Sequence, residues 1–209
     1  TVLQLAMEDF VWDSVAEFFP AGSTPIQGIN LMEFNDDPEQ LAGRVKAFTQ
    51  HLSQDATVER LGYTLAEGRS QIQKVYAMRK RSVGLLGNVQ GEKRPLPFVE
   101  DTAVPPEHLA DFITEFRAAL DARKLSYGMF GHVDAGVLHV RPALDMKDPA
   151  QEALIREISD EVAALTQKYG GLLWGEHGKG VRSEYGPKFF GELYPCLQQV
   201  KAAFDPHNQ

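Results

Sequence analysis

The sequence predicts an α+β fold, and three observations carry that prediction. Apolar residues recur at helical spacing in several stretches, short alternating or β-branched stretches lie between them, and one of these doubles back about a glycine. The 209 residues are 43% hydrophobic and 24% charged, which is enough to bury a core.

Taken in order, "IQGINLMEF" reads as a strand and "NDDPEQLAGRVKAF" as a helix opened by Asp37, Pro38 and Gln40. "LLGNVQGEKRP" is a glycine-punctuated loop without P-loop spacing, and "LPFVEDTAV" reads as a strand. In "PPEHLADFITEFRAALDARK", Leu109, Phe112, Ile113, Phe116 and Leu120 form one stripe behind Pro105 and Pro106. "YGMFGHV" and "VLHVRP" then form a hairpin. A further helix has Asp148 as its cap, Pro149 at its first position, Gln151 to complete a capping box, and Leu154, Ile155, Ile158, Val162 and Leu165 as its stripe. "GGLLWGEHG" supplies a last strand. The expected arrangement is a ferredoxin-like antiparallel sheet with helices covering one face and the other face free to present side chains. No repeat, low-complexity tract or internal linker divides the chain, so residues 1–209 are read as one domain.

A formal charge of −8 argues against nucleic acid or an anionic membrane as the partner. Cys196 is the only cysteine, which suits a reducing, cytoplasmic setting, and its surroundings predict a buried structural thiol. No apolar run reaches membrane-spanning length, and the opening "TVLQLAMEDFVWDS" has no basic region or cleavage signal. The chain opens without methionine and stops at "AAFDPHNQ", so it is expected to be a piece of something longer.

The chemistry concentrates in "GHVDAGVLH" and "GEHGKG". A four-residue connection, Asp134 to Val137, would set His132 directly across from His139 on one face, with Phe130 and Arg141 beside them. A three-residue loop would send the two imidazoles to opposite faces. If they share a face and Glu176 joins them, two imidazoles and a carboxylate suit zinc or another borderline divalent ion with one position open. His177 is then left free to move a proton. His51 and His108 lie on helices and read as solvent-facing. Arg79, in "MRKRS", either answers the charge of a helix C-terminus or grips a substrate carboxylate.

These two motifs, in this order and separated by a helix, together with "FVEDTAVPPEHL" and "FDPHNQ", resemble the C-terminal substrate (cap) domain of FAD-linked oxidases of the vanillyl-alcohol oxidase superfamily. Among these, the D-lactate and D-2-hydroxyglutarate dehydrogenases look most similar. The resemblance implies metal ligation by His132, His139 and Glu176, a base at His177, and a substrate-carboxylate role for Arg79. It further implies that FAD is bound mainly by a separate domain of a longer parent chain, and that the substrate is a small 2-hydroxy acid.

Asp134, Ala135, Gly136 and Val137 stand where many relatives carry Gly-Asp-Gly-Asn, and Arg141 stands where asparagine is common. An arginine facing the site favours a dicarboxylate, hence D-2-hydroxyglutarate over D-lactate. "DAGVLHVRPALDM" looks most like large bacterial flavoproteins fused to an iron–sulphur module, which implies a cluster in the parent and permits a membrane-peripheral location for it. Two readings from other classes stay open: a non-catalytic module that binds a small acid, and an interaction domain docking through its open sheet face, both without metal.

Overall fold

The structure is a computed structural model that describes residues 10–19, 26–88 and 91–209. The chain forms two compact units, one ending at Val83 and one running from Gly84 to Gln209.

In the amino-terminal unit, helix α1 spans Pro38–Gln54 and helix α2 spans Gly68–Leu85, its last turn crossing the unit boundary. Val15 and Met78 are buried there, packed by Trp12, Phe18 and Phe19. Asp37 precedes α1 as expected but makes no side-chain cap; its carbonyl accepts from the Gln40 and Leu41 amides. The strand expected in "IQGINLMEF" is absent. A strand exists only through its ladder, and residues 26–34 have no ladder partner among the described residues, leaving Ile29, Leu31 and Met32 exposed.

The carboxy-terminal unit is an α+β assembly of β1 (Arg94–Pro95), β2 (Thr102–Ala103), α3 (Leu109–Ala122), β3 (Tyr127–His132), β4 (Val137–Leu144), α4 (Pro149–Lys168), α5 (Gly186–Phe190) and α6 (Tyr194–Phe204). Its open antiparallel four-stranded sheet is organised around β4. β3 lies along one side of β4, while the other side is shared end to end by β1, at Leu144 and Ala143, and β2, at Leu138 and Val137. The expected strand 96–104 survives only as β2, and "GGLLWGEHG" contributes a single bridge, Leu172 to Ala103.

Strand alternation gives β4 two faces. Leu138, Val140 and Leu144 face the helices and share a core with Leu109, Phe112, Phe116 and Leu120 of α3 and Ile158 and Val162 of α4. Ile113, Leu154, Ile155 and Leu165 pack at its margin, so both helical stripes lie where the sequence sets them. Each fully buried leucine or phenylalanine contributes about 1.5–3 kcal/mol. Asp148 caps α4 by accepting from the Ala150 amide at 3.0 Å. Gln151 does not close the expected reciprocal box. Its side-chain Nε2 donates to the Asp148 carboxylate, and its side-chain Oε1 accepts from the Asp145 backbone amide.

The hairpin loop is Val133–Gly136, with Phe130 opposite His139 and His132 opposite Val137. The register therefore differs from direct His132–His139 pairing by two residues, an even step that makes the histidines diagonal neighbours and keeps them on one face. Gly136 holds φ +66°, and a Cβ there would stand 1.8 Å from the Val104 carbonyl oxygen. On the other side of the same strand, a Cβ on Gly171 would stand 2.2 Å from the Ala103 oxygen.

Candidate metal centre and active site

The face of β4 turned away from the helices carries His139 and Arg141, and β3 adds Phe130 and His132. His139 is the buried member, 2% exposed. Its ring lies 5.1 Å from Phe130, 5.7 Å from His132 in an edge-on arrangement, and 4.7 Å from His177 in a stack. Burial lowers the His139 pKa, and the neighbouring His177 lowers it further. The ring is thereby held neutral, the form that donates a lone pair to a metal.

Glu176 and His177 arrive from the segment after the Leu172 bridge. Glu176 Oε1 lies 2.8 Å from His139 Nε2 and 3.3 Å from both His132 Nε2 and His177 Nε2. Three imidazoles thus meet at one carboxylate oxygen, which has lone pairs for only two donors. His139 Nδ1 is buried without a partner among the described residues. The donor set of borderline nitrogens and a carboxylate fits a divalent ion of the zinc type. Half-buried His132 and exposed His177 stand equally far from Glu176 Oε1. Ligand-capable atoms of Asp101, His139, Glu176 and His177 also lie within 4.8 Å of one another. His177 therefore sits inside the donor cluster rather than apart from it.

Three residues to which the sequence reading gave no role complete this face. Asp101, fully buried, accepts from the Glu176 amide through Oδ1 and from the His177 amide through Oδ2, each at 2.9 Å. Glu100 Oε2 accepts from Arg141 Nε at 2.8 Å, and its Oε1 lies 3.7 Å from His177 Nδ1. Arg182 is buried, donates to the Glu100 carbonyl, and brings Nη2 to 3.9 Å from Asp101 Oδ2. The signal for Glu100 and Asp101 was their adjacency between "PFV" and "TAVP", a run otherwise apolar enough for a buried strand; Arg182 had none.

Asp101 holds φ +66°, in the left-handed region that side chains seldom occupy. Strand alternation would send Glu100 and Asp101 to opposite faces; the left-handed residue breaks it, and both carboxylates reach the histidines. Arg141 keeps its guanidinium carbon 5.6 Å from the Phe130 ring centroid, so the predicted neighbours Phe130, His132, His139 and Arg141 do share this face. Arg79 lies within α2 in the amino-terminal unit, while the other predicted site residues all belong to the carboxy-terminal unit. His51 and His108 are exposed as expected. Cys196 is exposed on α6 rather than buried, because Tyr194 and Leu197 carry the half-buried side of that helix.

No described helix is long and apolar enough to cross a membrane. The profile of the family described as FAD linked oxidases, C-terminal domain, matches residues 3–209. D-2-hydroxyglutarate dehydrogenase of Pseudomonas putida is 70% identical over 210 residues, covering 100% of this chain and 21% of that protein. The enzyme of the same name from Escherichia coli is 58% identical over 216 residues, with the same coverage. D-lactate dehydrogenase of Anaerostipes hadrus is 28% identical over 110 residues, 51% of this chain and 23% of that enzyme. The chain thus spans 21% of the length of the D-2-hydroxyglutarate dehydrogenases it matches.

Proposed function

Because the chain belongs to the family of FAD-linked oxidase C-terminal domains, we propose that it is the substrate-binding part of a longer FAD-dependent dehydrogenase that oxidises a D-2-hydroxy acid. D-2-hydroxyglutarate is preferred to D-lactate. The observation that carries the reading is the meeting of three imidazole nitrogens at one oxygen of Glu176.

In this reading His132, His139 and Glu176 hold a divalent ion, zinc by the chemistry of the donors. The bound ion supplies Lewis acidity toward the substrate's carboxylate and hydroxyl, and FAD, bound mainly by another domain of the longer chain, supplies the two-electron acceptor. His177 takes the hydroxyl proton. Its Nδ1 faces Glu100 and Asp101, at 3.7 and 3.9 Å, and that pairing favours the tautomer with Nδ1 protonated and Nε2 free to accept. Arg141 binds the distal carboxylate of a dicarboxylate substrate with the donors that Glu100 leaves unused. The resemblance alone adds Arg79 as a grip on the substrate carboxylate.

Electrons leave by an iron–sulphur cluster elsewhere in the longer protein, since such a cluster takes four thiolates and this sequence offers only Cys196. The setting is cytoplasmic, with the longer protein able to lie at a membrane surface. Elemental analysis of the full-length flavoprotein, with flavin reduction followed after mixing with D-2-hydroxyglutarate or D-lactate, tests the reading. Stoichiometric metal that is lost in His132→Ala, with faster reduction by the dicarboxylate, is expected. Binding of either acid with no metal and no flavin reduction would favour the non-catalytic reading instead.

A further inference from the structure

One residue touches three consecutive amides of the functional segment. The Gly175 amide donates to the Asp101 carbonyl at 2.8 Å, the Glu176 amide to Asp101 Oδ1 and the His177 amide to Asp101 Oδ2, both at 2.9 Å. Further back, Ala103 and Leu172 exchange both backbone hydrogen bonds. Between these contacts one strand advances from 103 to 101 and the other from 172 to 175, so the second carries one extra residue, as in a β-bulge. From that point regular pairing no longer fixes where Glu176 and His177 point. Their amides are fixed by a side chain, with both carboxylate oxygens committed to the task. A Cβ on Gly175 would come to 3.1 Å from a Val137 methyl and 3.2 Å from Asp101 Oδ1, so the clamp closes against bare backbone.

We propose that Asp101 is a positioning residue whose buried carboxylate clamps the backbone of Glu176 and His177, fixing the carboxylate ligand and the proton acceptor in one shared geometry, with Arg182 as its counter-charge. The inference rests on the metal and base roles proposed above. It adds that the two roles are coupled through a residue whose two carboxylate oxygens are both engaged by backbone amides. Left-handed backbone at position 101 is part of the device, because it delivers Glu100 to His177 and Arg141 while Asp101 turns to the amides.

The test uses Asp101→Asn and Asp101→Gly in the full-length flavoprotein. Asparagine and glycine both tolerate positive φ, so the backbone is preserved while the carboxylate is altered or removed. Amide hydrogen exchange, read at single-residue resolution by electron-transfer fragmentation, is the primary measurement. In Asp101→Gly, the Glu176 and His177 amides should exchange about tenfold faster or more, while Gly175, bonded to the backbone carbonyl, and the amides of α3 keep their protection. Asp101→Asn should fall between, because its single side-chain oxygen can accept only one of the two bonds. Metal affinity and kcat should drop together by about 10–100-fold in Asp101→Gly with flavin content unchanged, and Asp101→Asn should recover part of the loss. Unchanged exchange at 176 and 177 would overturn the proposal, as would equal loss of protection at Gly175 and throughout α3, which would mark general destabilisation. Should the unaltered protein hold no metal, the proposed function fails by that result, whereas the exchange comparison still decides the role of Asp101.

Discussion

On the helix side of β4, Leu138, Val140 and Leu144 lock against Phe112, Phe116, Ile158 and Val162; on the other side, one residue out of step, His139 and Arg141 meet acids and imidazoles from three separate stretches of chain. The two faces share one backbone but differ in what fixes them. The packed face depends on volume, which many apolar sequences can supply. The polar face depends on a few directed contacts, each needing its partner at one place.

Substitutions on the two faces should therefore separate stability from chemistry, and the size of the separation measures how independent the faces are. The largest effect is expected from His177→Ala, with turnover of the full-length flavoprotein falling by about 10²–10⁴-fold while the thermal midpoint hardly moves; steady-state kinetics alongside calorimetry check it. Retained turnover would remove the proton-accepting role. Phe116→Ala, on the opposite face, should cost about 3–5 kcal/mol of stability by denaturant titration, yet leave metal affinity unaltered in protein that remains folded. A drop in metal affinity below the unfolding transition would show that the faces communicate.

Arg141→Gln comes next. It should raise KM for D-2-hydroxyglutarate by about ten- to a hundredfold, the worth of a charged hydrogen bond, with far less effect on D-lactate, which has no second carboxylate. Equal effects on the two acids would reassign Arg141 to holding Glu100.

The smallest change is a pH effect at the cap of α4. The Asp148 carboxyl is held below its ordinary 3.8 by the Gln151 side chain first and the Ala150 amide next. A lowered folded-state value means that the stability it contributes is present above the ordinary value and is lost as pH falls through the folded one. The thermal midpoints of the natural chain and Asp148→Ala should thus differ at neutral pH and converge in strong acid. A constant difference across that range would mean that the cap does not depend on charge.

The packed face was the more legible in sequence because its signal is local. Leu109, Phe112, Phe116 and Leu120 repeat within one helix, and Ile158 and Val162 within another, so periodicity finds them without knowledge of the fold. The polar face was legible where its residues announce themselves by type: His132, His139, Glu176 and His177 do converge. Asp101 and Arg182 were not, since a buried acid and its arginine look like surface charges until the chain brings them together from 101 and 182. The hairpin register escaped for a different reason. Four-residue loops shifted by one position, Asp134 to Val137 or Val133 to Gly136, contain the same glycine, and only the fold's choice of Phe130 opposite His139 separates them. Short strands such as β1 and β2 carry too few residues for alternation to show.

Residues 103 and 104 run between two bare backbones, Gly171 on one side and Gly136 on the other. That sandwich has no thickness to spare: a single methyl group at either glycine must push a whole segment aside. The spacing between the histidine-bearing hairpin and the stretch that delivers Glu176 is thereby set by the width of a polypeptide chain, a ruler that no side-chain rearrangement can lengthen.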